Sequence, residues 1–471
     1  MFGGNNMENK KRSTFSGSLG FVLAAAGSAV GLGNIWRFPF LAAKDGGGIF
    51  LLCYLILALT FGFALLTTEI AIGRKTAQSP LTAYKAMHPK FGWLGVIASV
   101  VPALILPYYC VIGGWVLKYM GTFLTGGGHA AVADGYFTAF ITAPVSPIIW
   151  FFIFLAATVF VVYKGVNTGI ERLSKILMPI LLLLIIGISI FSLTLSHTDA
   201  NGVTRTGLQG LMVYTIPNFD GMTLKKFMLV LMDALGQLFY SISVAMGIMI
   251  TYGSYVKKDT NLIKSVNHIE FFDTAVAFLA GLMIVPAVYT FMGTEGMSAG
   301  PSLMFISLPK VFDAMGITGA IIGAAFFVMV AFAALTSSVS ILEAIVSGLM
   351  DKFHYSRAKA VLCCAVYSLI VGVIICLGYN ALYFEYTLPN GSVGQILDIL
   401  DYISNYCLMP IVAFATCIMV GWILKPSCIA DEVTMGGFKF SRQRLYVVMI
   451  KFVAPAMLLL LFLQSLGVFS L

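Results

Sequence analysis

The chain has 471 residues, of which 59% are hydrophobic and only 10% are charged. Soluble globular domains carry about 25% charged residues, so the composition excludes a soluble domain and predicts an all-α polytopic membrane protein. The formal net charge is +8. The lysines and arginines cluster in alternate polar connections, which indicates membrane topology and gives no support for nucleic-acid binding.

Eleven apolar segments are long enough to cross a bilayer as helices. They lie at about 15–40, 47–73, 92–123, 146–163, 173–195, 223–256, 271–293, 317–349, 359–378, 394–424 and 445–470. The whole chain, 1–471, is therefore predicted to be a single transmembrane domain. The longer connections, near 124–145, 196–222, 294–316 and 379–393, are rich in Gly, Pro, Thr and Asn, which predicts loops with room for short helices.

Most lysines and arginines lie in the N-terminal segment and in the connections that follow even-numbered spans. The positive-inside rule places these connections in the cytoplasm. With eleven spans, the N-terminus is expected in the cytoplasm and the C-terminus outside. The first span follows a polar start and lacks a small-residue cleavage site, so it is not interpreted as a cleaved signal peptide.

The first span contains the stretch GSAVGLGNIWRFP, from Gly27 to Pro39. Its glycines, Asn34 and the proline disfavour a continuous helix. A helix that breaks at membrane depth exposes backbone groups, which only protein, water or a ligand can satisfy. The stretch therefore predicts a binding site, and close helix packing through small residues is the alternative.

A second interrupted span follows five helices later, where Ser241, Ser243 and Gly247 lie at midspan. Broken helices at corresponding places in two halves are typical of transporters with an inverted repeat. We expect one five-helix repeat at about 15–195, a second at about 223–424, and an extra helix at about 445–470. Helices 1 and 6 are predicted to be discontinuous.

Span 8 places Ala333, Thr336 and Ser337 on one helical face, because residues three and four apart are neighbours. The hydroxyls could coordinate a cation, bond back to the preceding turn, or join two helices. Beside two broken helices, which supply carbonyl oxygens, cation binding is the favoured interpretation.

Ionisable groups within spans are candidate functional groups. Asp273, near the predicted start of span 7, is either a cation ligand or an interfacial charge. Glu69 either satisfies an unwound backbone or reaches toward the membrane surface. Arg37 needs a partner, for which Asp401 is a candidate. No catalytic arrangement of side chains is found, so we expect a protein that is not an enzyme.

Four stretches together resemble the neurotransmitter:sodium symporters: Gly27–Pro39, Gly236-Gln237, Leu335-Thr-Ser-Ser338 and Gly300-Pro-Ser-Leu-Met-Phe305. The similarity covers nearly the whole chain and looks like the bacterial amino-acid branch with eleven helices. The resemblance implies a sodium-coupled symporter in the plasma membrane of a bacterium. It implies two co-transported Na⁺ ions, a small-molecule amino-acid substrate and a lipid bilayer as surroundings, with no organic cofactor.

By this resemblance, the first sodium ion would be bound by Ala29, Asn34, Ser241, Asp273 and the carboxylate of the substrate. The second would be bound by Gly27, Val30, Ala333, Thr336 and Ser337. The residues that the resemblance assigns to the substrate are Ser28, Ala29, Gly31, Leu32, Gly33, Ile105, Tyr109, Tyr240, Ser241, Ser243, Met246, Ser337 and Ile341.

Gly31 stands where monoamine-transporting relatives carry an aspartate, which implies a zwitterionic amino acid as substrate. The mostly apolar lining implies apolar or aromatic side chains. Asp273 replaces a common Asn and Ala277 a Ser of chloride-dependent relatives, so chloride-independent transport is expected. Ala245 replaces a common Gly, which puts the largest substrates in doubt, and Tyr240 replaces a common Phe.

The resemblance also implies alternating access. Tyr109 with Tyr240, and Arg37 with Asp401, would close the outer side. Arg12 would pair with Asp351 near Tyr255 on the cytoplasmic side. The alternative is an amino-acid sensor or receptor of the same fold, which binds the ligand and does not translocate it.

Overall fold

The computed structural model describes residues 13–199, 201–297 and 301–468, and its architecture is mainly helical. Nine continuous helices in these ranges are long and apolar enough to span a membrane. With the two broken helices described next, they make eleven spans. The continuous ones are span 2 (Gly48–Thr76), span 3 (Pro89–Leu124), span 4 (Ser146–Tyr163), span 5 (Val166–Leu193), span 7 (Leu262–Met292), span 8 (Ile317–Phe353), span 9 (Arg357–Leu377), span 10 (Ile396–Ile423) and span 11 (Gln443–Ser465).

Span 1 consists of two helices, Ser18–Ala29 and Gly33–Lys44, bent by 55° at the break. Val30 ends the first helix with extended backbone angles. The glycines on both sides of the break explain its position, because each weakens a helix by about 1 kcal/mol relative to alanine. The predicted interruption of span 1 is thus confirmed.

Span 6 is also in two parts, Leu224–Ser241 and Ile248–Gly253. In the intervening segment Ser243, Ala245 and Gly247 adopt positive φ angles of 55°, 63° and 73°. Glycine adopts such angles freely, whereas a residue with a Cβ is destabilised there by about 1–2 kcal/mol. The segment therefore holds two strained residues, a condition that surrounding contacts must maintain.

Three of the long connections contain short helices, as expected, at Tyr136–Thr142, Gly207–Thr215 and Leu308–Ala314. Two further short helices, at Pro80–Met87 and Ser427–Val433, lie in connections for which none was predicted. The long connections also contain two small antiparallel hairpins that the sequence analysis did not predict. One pairs Ser196–Thr198 with Thr204–Thr206, and the other pairs Tyr386–Thr387 with Val393–Gly394.

Burial divides the helices into an inner and an outer group. In the most apolar part of span 2, 72% of the residues are buried. In the corresponding parts of spans 4 and 11, 33% of the residues are buried. The outer helices expose apolar side chains, as expected for a surface in contact with lipid tails. The broken helices lie in the interior of the bundle. The interrupted backbone is therefore enclosed by protein, as irregular backbone at membrane depth must be.

Span 7 begins earlier than predicted, at Leu262 instead of about 271, because Asn261 caps it by accepting a hydrogen bond from the Lys264 backbone N–H. Asp273 consequently lies about three turns inside the helix and is only 1% exposed. The interpretation of Asp273 as an interfacial charge is wrong.

Candidate transport site

A narrow cavity of about 30 Å³ lies between the breaks of spans 1 and 6. All thirteen residues assigned above to the substrate line it, together with Asn34. No charged side chain is among these fourteen. A space of this volume holds one or two water molecules, so an amino acid requires the lining side chains to move apart.

Gly31 lies close to two hydroxyl groups of the cavity lining. A Cβ atom on it would lie 3.0 Å from the Ser337 hydroxyl and 3.1 Å from that of Tyr109. The Tyr109 hydroxyl is buried and has no hydrogen-bond partner in the part of the chain that the structure describes. The second half of span 1 begins at Gly33, and the first N–H groups of a helix have no intrahelical acceptor. Hydrogen-bond donors for a carboxylate therefore converge beside Gly31.

Asn34, Ser241 and Asp273, which belong to three different spans, meet on one side of the cavity. The Asn34 amide donates to Asp273 Oδ1 at 2.9 Å, and Ser241 donates to the same oxygen at 2.7 Å. Tyr54, which the sequence analysis did not single out, donates to Asp273 Oδ2 at 3.3 Å. Ala29 lines the cavity at the carbonyl end of the first half-helix. This cluster presents several oxygen atoms, the ligand type that hard cations prefer.

The five residues predicted for a second ion also lie together. Ser337 Oγ is 3.3 Å from the Gly27 carbonyl oxygen and 3.2 Å from that of Val30. Thr336 Oγ1 is 3.1 Å from the Ala333 carbonyl oxygen, and a Cβ on Gly27 would lie 3.3 Å from Thr336 Cβ.

Two of the three interpretations left open for the span 8 hydroxyls, bonding to the preceding turn and joining two helices, are visible in this cluster. Thr336 bonds back to the Phe332 carbonyl at 3.1 Å. Ser337 donates across to span 1, where its other acceptor is the Ser28 carbonyl at 3.1 Å. The span 1 carbonyls lie at the C-terminal end of its first helix, where carbonyl groups have no intrahelical donor. The hydroxyls and carbonyls together form a second group of oxygens.

A larger cavity of about 690 Å³ lies next to the first, on the side opposite the lysine-rich loops. We call it the vestibule; spans 1, 3, 6, 10 and 11 and the tip of the hairpin at Pro389–Gly391 line it. Tyr240 lines both cavities, so its ring separates them. Gly33 permits this position, since a Cβ there would lie 2.7 Å from the Tyr240 ring.

Arg37 and Asp401 both line the vestibule, but the predicted ion pair between them is not formed in this structure. Asp401 Oδ1 instead accepts hydrogen bonds from Tyr108 at 3.1 Å and Asn405 at 2.6 Å. Local partners in spans 3 and 10 thus occupy the carboxylate, and the vestibule is open between the two charges.

On the other side of the site, the Tyr255 hydroxyl donates to Glu343 Oε1 at 2.7 Å. Arg357 binds both oxygens of Glu343, at 2.7 and 2.8 Å. No role for Glu343 or Arg357 was predicted from the sequence. Their positions on either side of the tight connection between spans 8 and 9 are a signal that could have paired them. Asp351 accepts a hydrogen bond from the Ser79 backbone at 2.6 Å, and its predicted partner Arg12 lies outside the described residues.

Glu69 of span 2 supports the unwound part of span 6. Its Oε1 accepts a hydrogen bond from the Ala245 N–H at 2.6 Å, and the residue is 3% exposed. Of the two interpretations of Glu69, the satisfaction of an unwound backbone is the one that the structure supports. The contact also holds Ala245 in its strained conformation.

Known proteins share both the sequence pattern and this geometry. A family model described as the sodium:neurotransmitter symporter family matches residues 12–127 and 143–470. The chain belongs to this family. It is therefore a sodium-dependent membrane transporter and not an enzyme, and the family resemblance inferred from the motifs is confirmed.

Two relatives and one solved structure show how similar this member of the sodium:neurotransmitter symporter family is to individual proteins. An uncharacterized sodium-dependent transporter of Bacillus subtilis, YhdH, is 34% identical, covering 98% of this chain and 100% of the relative. The human sodium- and chloride-dependent GABA transporter 2 is 26% identical, covering 90% and 75%. The crystal structure of MhsT in complex with L-phenylalanine is 35% identical and superposes with a TM-score of 0.84, covering 96% and 100%. The predicted fold class is thereby confirmed.

Proposed function

We propose that this symporter imports apolar or aromatic amino acids, driven by two sodium ions and independent of chloride. The observation that carries the proposal is the cavity at the two helix breaks. Its lining has no charged side chain, and it lies between two groups of oxygen atoms. The 35% identity to MhsT, whose structure holds L-phenylalanine, supports this substrate class.

The substrate's α-carboxylate would bind beside Gly31, where the Tyr109 hydroxyl lacks a partner and the helix that starts at Gly33 presents N–H groups. Helix N-termini bind anions because these donors point outward. The side chain of the amino acid would extend among apolar residues such as Ile105, Met246 and Ile341. A charged side chain would find no counter-charge there, which disfavours Lys and Glu as substrates.

Asn34, Ser241 and Asp273 would hold the first sodium ion together with the carboxylate of the substrate. Thr336 and Ser337, with span 1 carbonyls, would hold the second. A carboxylate shared between substrate and ion couples the two binding events, and this coupling is reciprocal. Inward movement of each positive charge contributes about 2.3 kcal/mol per 100 mV of membrane potential.

Chloride independence rests on the charge of Asp273, which lies beside the first ion site without any cationic partner among the described residues. A fixed carboxylate supplies the negative charge that a bound chloride ion would otherwise supply. The Ala277 side chain, one turn further along span 7 and fully buried, has no hydroxyl to offer an anion.

We also propose that the protein lies in the plasma membrane of a bacterium, with its N-terminus in the cytoplasm and its C-terminus outside. The lysine-rich loops support this orientation, which makes the vestibule the outer entrance. Tyr240 and Tyr109 would close over the substrate, and Arg37 would approach Asp401 when the vestibule narrows. The contacts of Tyr255 and Asp351 would close the inner side.

The test is uptake of labelled phenylalanine, leucine, tyrosine, tryptophan and lysine into proteoliposomes with an imposed sodium gradient. We expect accumulation of phenylalanine, leucine and tyrosine, weaker uptake of tryptophan because of the Ala245 methyl group, no uptake of lysine, and equal rates when gluconate replaces chloride. Binding without accumulation would favour a sensor of the same fold. Accumulation that persists after the sodium gradient is collapsed would refute symport.

A further inference from the structure

A groove opens on the membrane-facing side of the helices, away from the transport site. It runs between the start of span 3 and the middle of spans 10 and 11, with a volume of about 400 Å³. All the residues that line it are apolar, among them Phe91, Trp93, Phe414, Ala415, Leu458 and Phe462. At membrane depth, an apolar groove of this kind is filled by lipid or by another helix.

The dimensions favour a lipid chain. Along span 10 the groove extends from Pro410 to Ile418, which is about 12 Å at 1.5 Å per residue. A helix of that length, about 10 Å wide with its side chains, would occupy about 900 Å³. The groove holds less than half of this volume, so it can enclose an extended hydrocarbon chain but would take up only one face of a helix.

Two lysines lie at the end of the groove where span 3 begins. A Cβ on Gly92 would lie 3.6 Å from Lys85 Cβ and Cγ, so the stem of Lys85 packs on the residue between Phe91 and Trp93. Lys90 directly precedes Phe91. Both lysines are exposed, and neither ammonium group has a hydrogen bond or ion pair with a described residue.

Trp93, at the same end, is 49% exposed. Tryptophan is enriched at the level of lipid headgroups, where its ring is apolar and its N–H can reach water. The apolar groove therefore ends at headgroup depth, beside two positive charges without a partner in the protein. Clustered lysines next to membrane spans attract anionic headgroups.

We propose that an anionic phospholipid of the surrounding membrane binds here, with one acyl chain in the groove and its phosphate between Lys85 and Lys90. An acyl chain gains no hydrophobic free energy on moving from the bilayer into the groove. The preference for this lipid over neutral phospholipids therefore comes from the charge of its headgroup. The site is specific for charge and tolerant of chain type.

The experiment is native mass spectrometry of the full-length transporter in detergent, with phosphatidylglycerol and phosphatidylcholine added at equal concentrations. We expect one retained phosphatidylglycerol per transporter. Replacing both lysines (Lys85→Gln with Lys90→Gln) should weaken this retention about fivefold for each lysine. Ala415→Trp, which puts an indole into the groove, should reduce the retention of both lipids.

Matched controls lie elsewhere on the same molecule. Lys352→Gln removes an exposed lysine at the end of span 8, and Ala156→Trp adds an indole on the exposed face of span 4. Both should retain phosphatidylglycerol like the wild type. Equal retention of the two lipids by the wild type, or unchanged retention in the double-lysine variant, would overturn the proposal. A dimer that Ala415→Trp dissociates would assign the groove to a second copy instead. If Ala415→Trp fails to fold, the exposed lysines still decide the question.

Discussion

The ring of Tyr240 offers a direct test of how the narrow cavity between the breaks of spans 1 and 6, here called the inner cavity, is closed. In a Gly33→Ala variant the new Cβ would lie 2.7 Å from Tyr240 Cε1 and 2.8 Å from Cδ1, whereas ordinary contacts begin at 3.4 Å. The ring must therefore retreat by about 0.7 Å, the difference between these distances. The vestibule, which Tyr240 also lines and which is by far the larger of the two cavities, offers the space for this movement. Overpacking of this kind costs about 1–3 kcal/mol. The added methyl group clashes with the Tyr240 ring only when this ring lies between the two cavities.

We therefore expect phenylalanine to bind Gly33→Ala about tenfold more weakly, a change of about 1.4 kcal/mol, in an equilibrium binding assay with saturating sodium. The melting temperature should stay close to that of the wild type, since Gly33 has no positive φ angle that alanine would strain. Gly236→Ala is the matched control. Its Cβ would also border the vestibule, but at 3.5 Å from Arg37 and 3.7 Å from Leu461. Wild-type affinity in Gly33→Ala, or an equal loss in the control, would refute the role of Tyr240 as a barrier.

Three further predictions follow from the contacts of buried charges. Asp273→Asn keeps the shape of the side chain but removes its charge, so half-maximal phenylalanine binding should require at least about tenfold more sodium; an unchanged sodium titration would contradict its role as a ligand. Glu69→Leu should lower the free energy of unfolding by about 1–3 kcal/mol, because the Ala245 N–H loses its acceptor, while Glu69→Gln retains an acceptor and most of the stability, as thermal unfolding would show. Arg357→Gln leaves Glu343 buried without its cation, which costs about 3–5 kcal/mol. Adding Glu343→Gln should recover part of this loss in a double-mutant cycle, and a purely additive cycle would exclude the pair.

Much of the fold followed from local sequence signals. The glycines around Asn34 predicted the break in span 1, and the charge pattern separated the two sets of loops. The segment around Ser243 and Gly247 likewise predicted the break in span 6. These features could be predicted because a long apolar segment has few alternatives in a bilayer, so each interruption stands out.

Contacts between distant parts of the chain were harder to predict. Tyr54 reaches Asp273 across more than two hundred residues, and nothing in its local sequence distinguishes it from a packing residue. Arg37 and Asp401 were paired by resemblance, yet Tyr108 and Asn405 occupy the carboxylate in this conformation. Such partners depend on how helices pack and on which state is adopted, and neither is encoded in spacing.

The two sides of the inner cavity differ in how much structure blocks the way out. Toward the vestibule, Tyr240 is the one described residue that lines both cavities. Toward the lysine-rich side, Phe15 packs against Tyr252 and Tyr255, and Tyr255 is tied to Glu343 and through it to span 9. Movement of one side chain at a cavity wall disturbs few contacts, whereas collective helix movements take microseconds to milliseconds. Opening toward the vestibule therefore breaks fewer contacts than opening toward the lysine-rich side, and we expect the vestibule side to open first when a substrate enters.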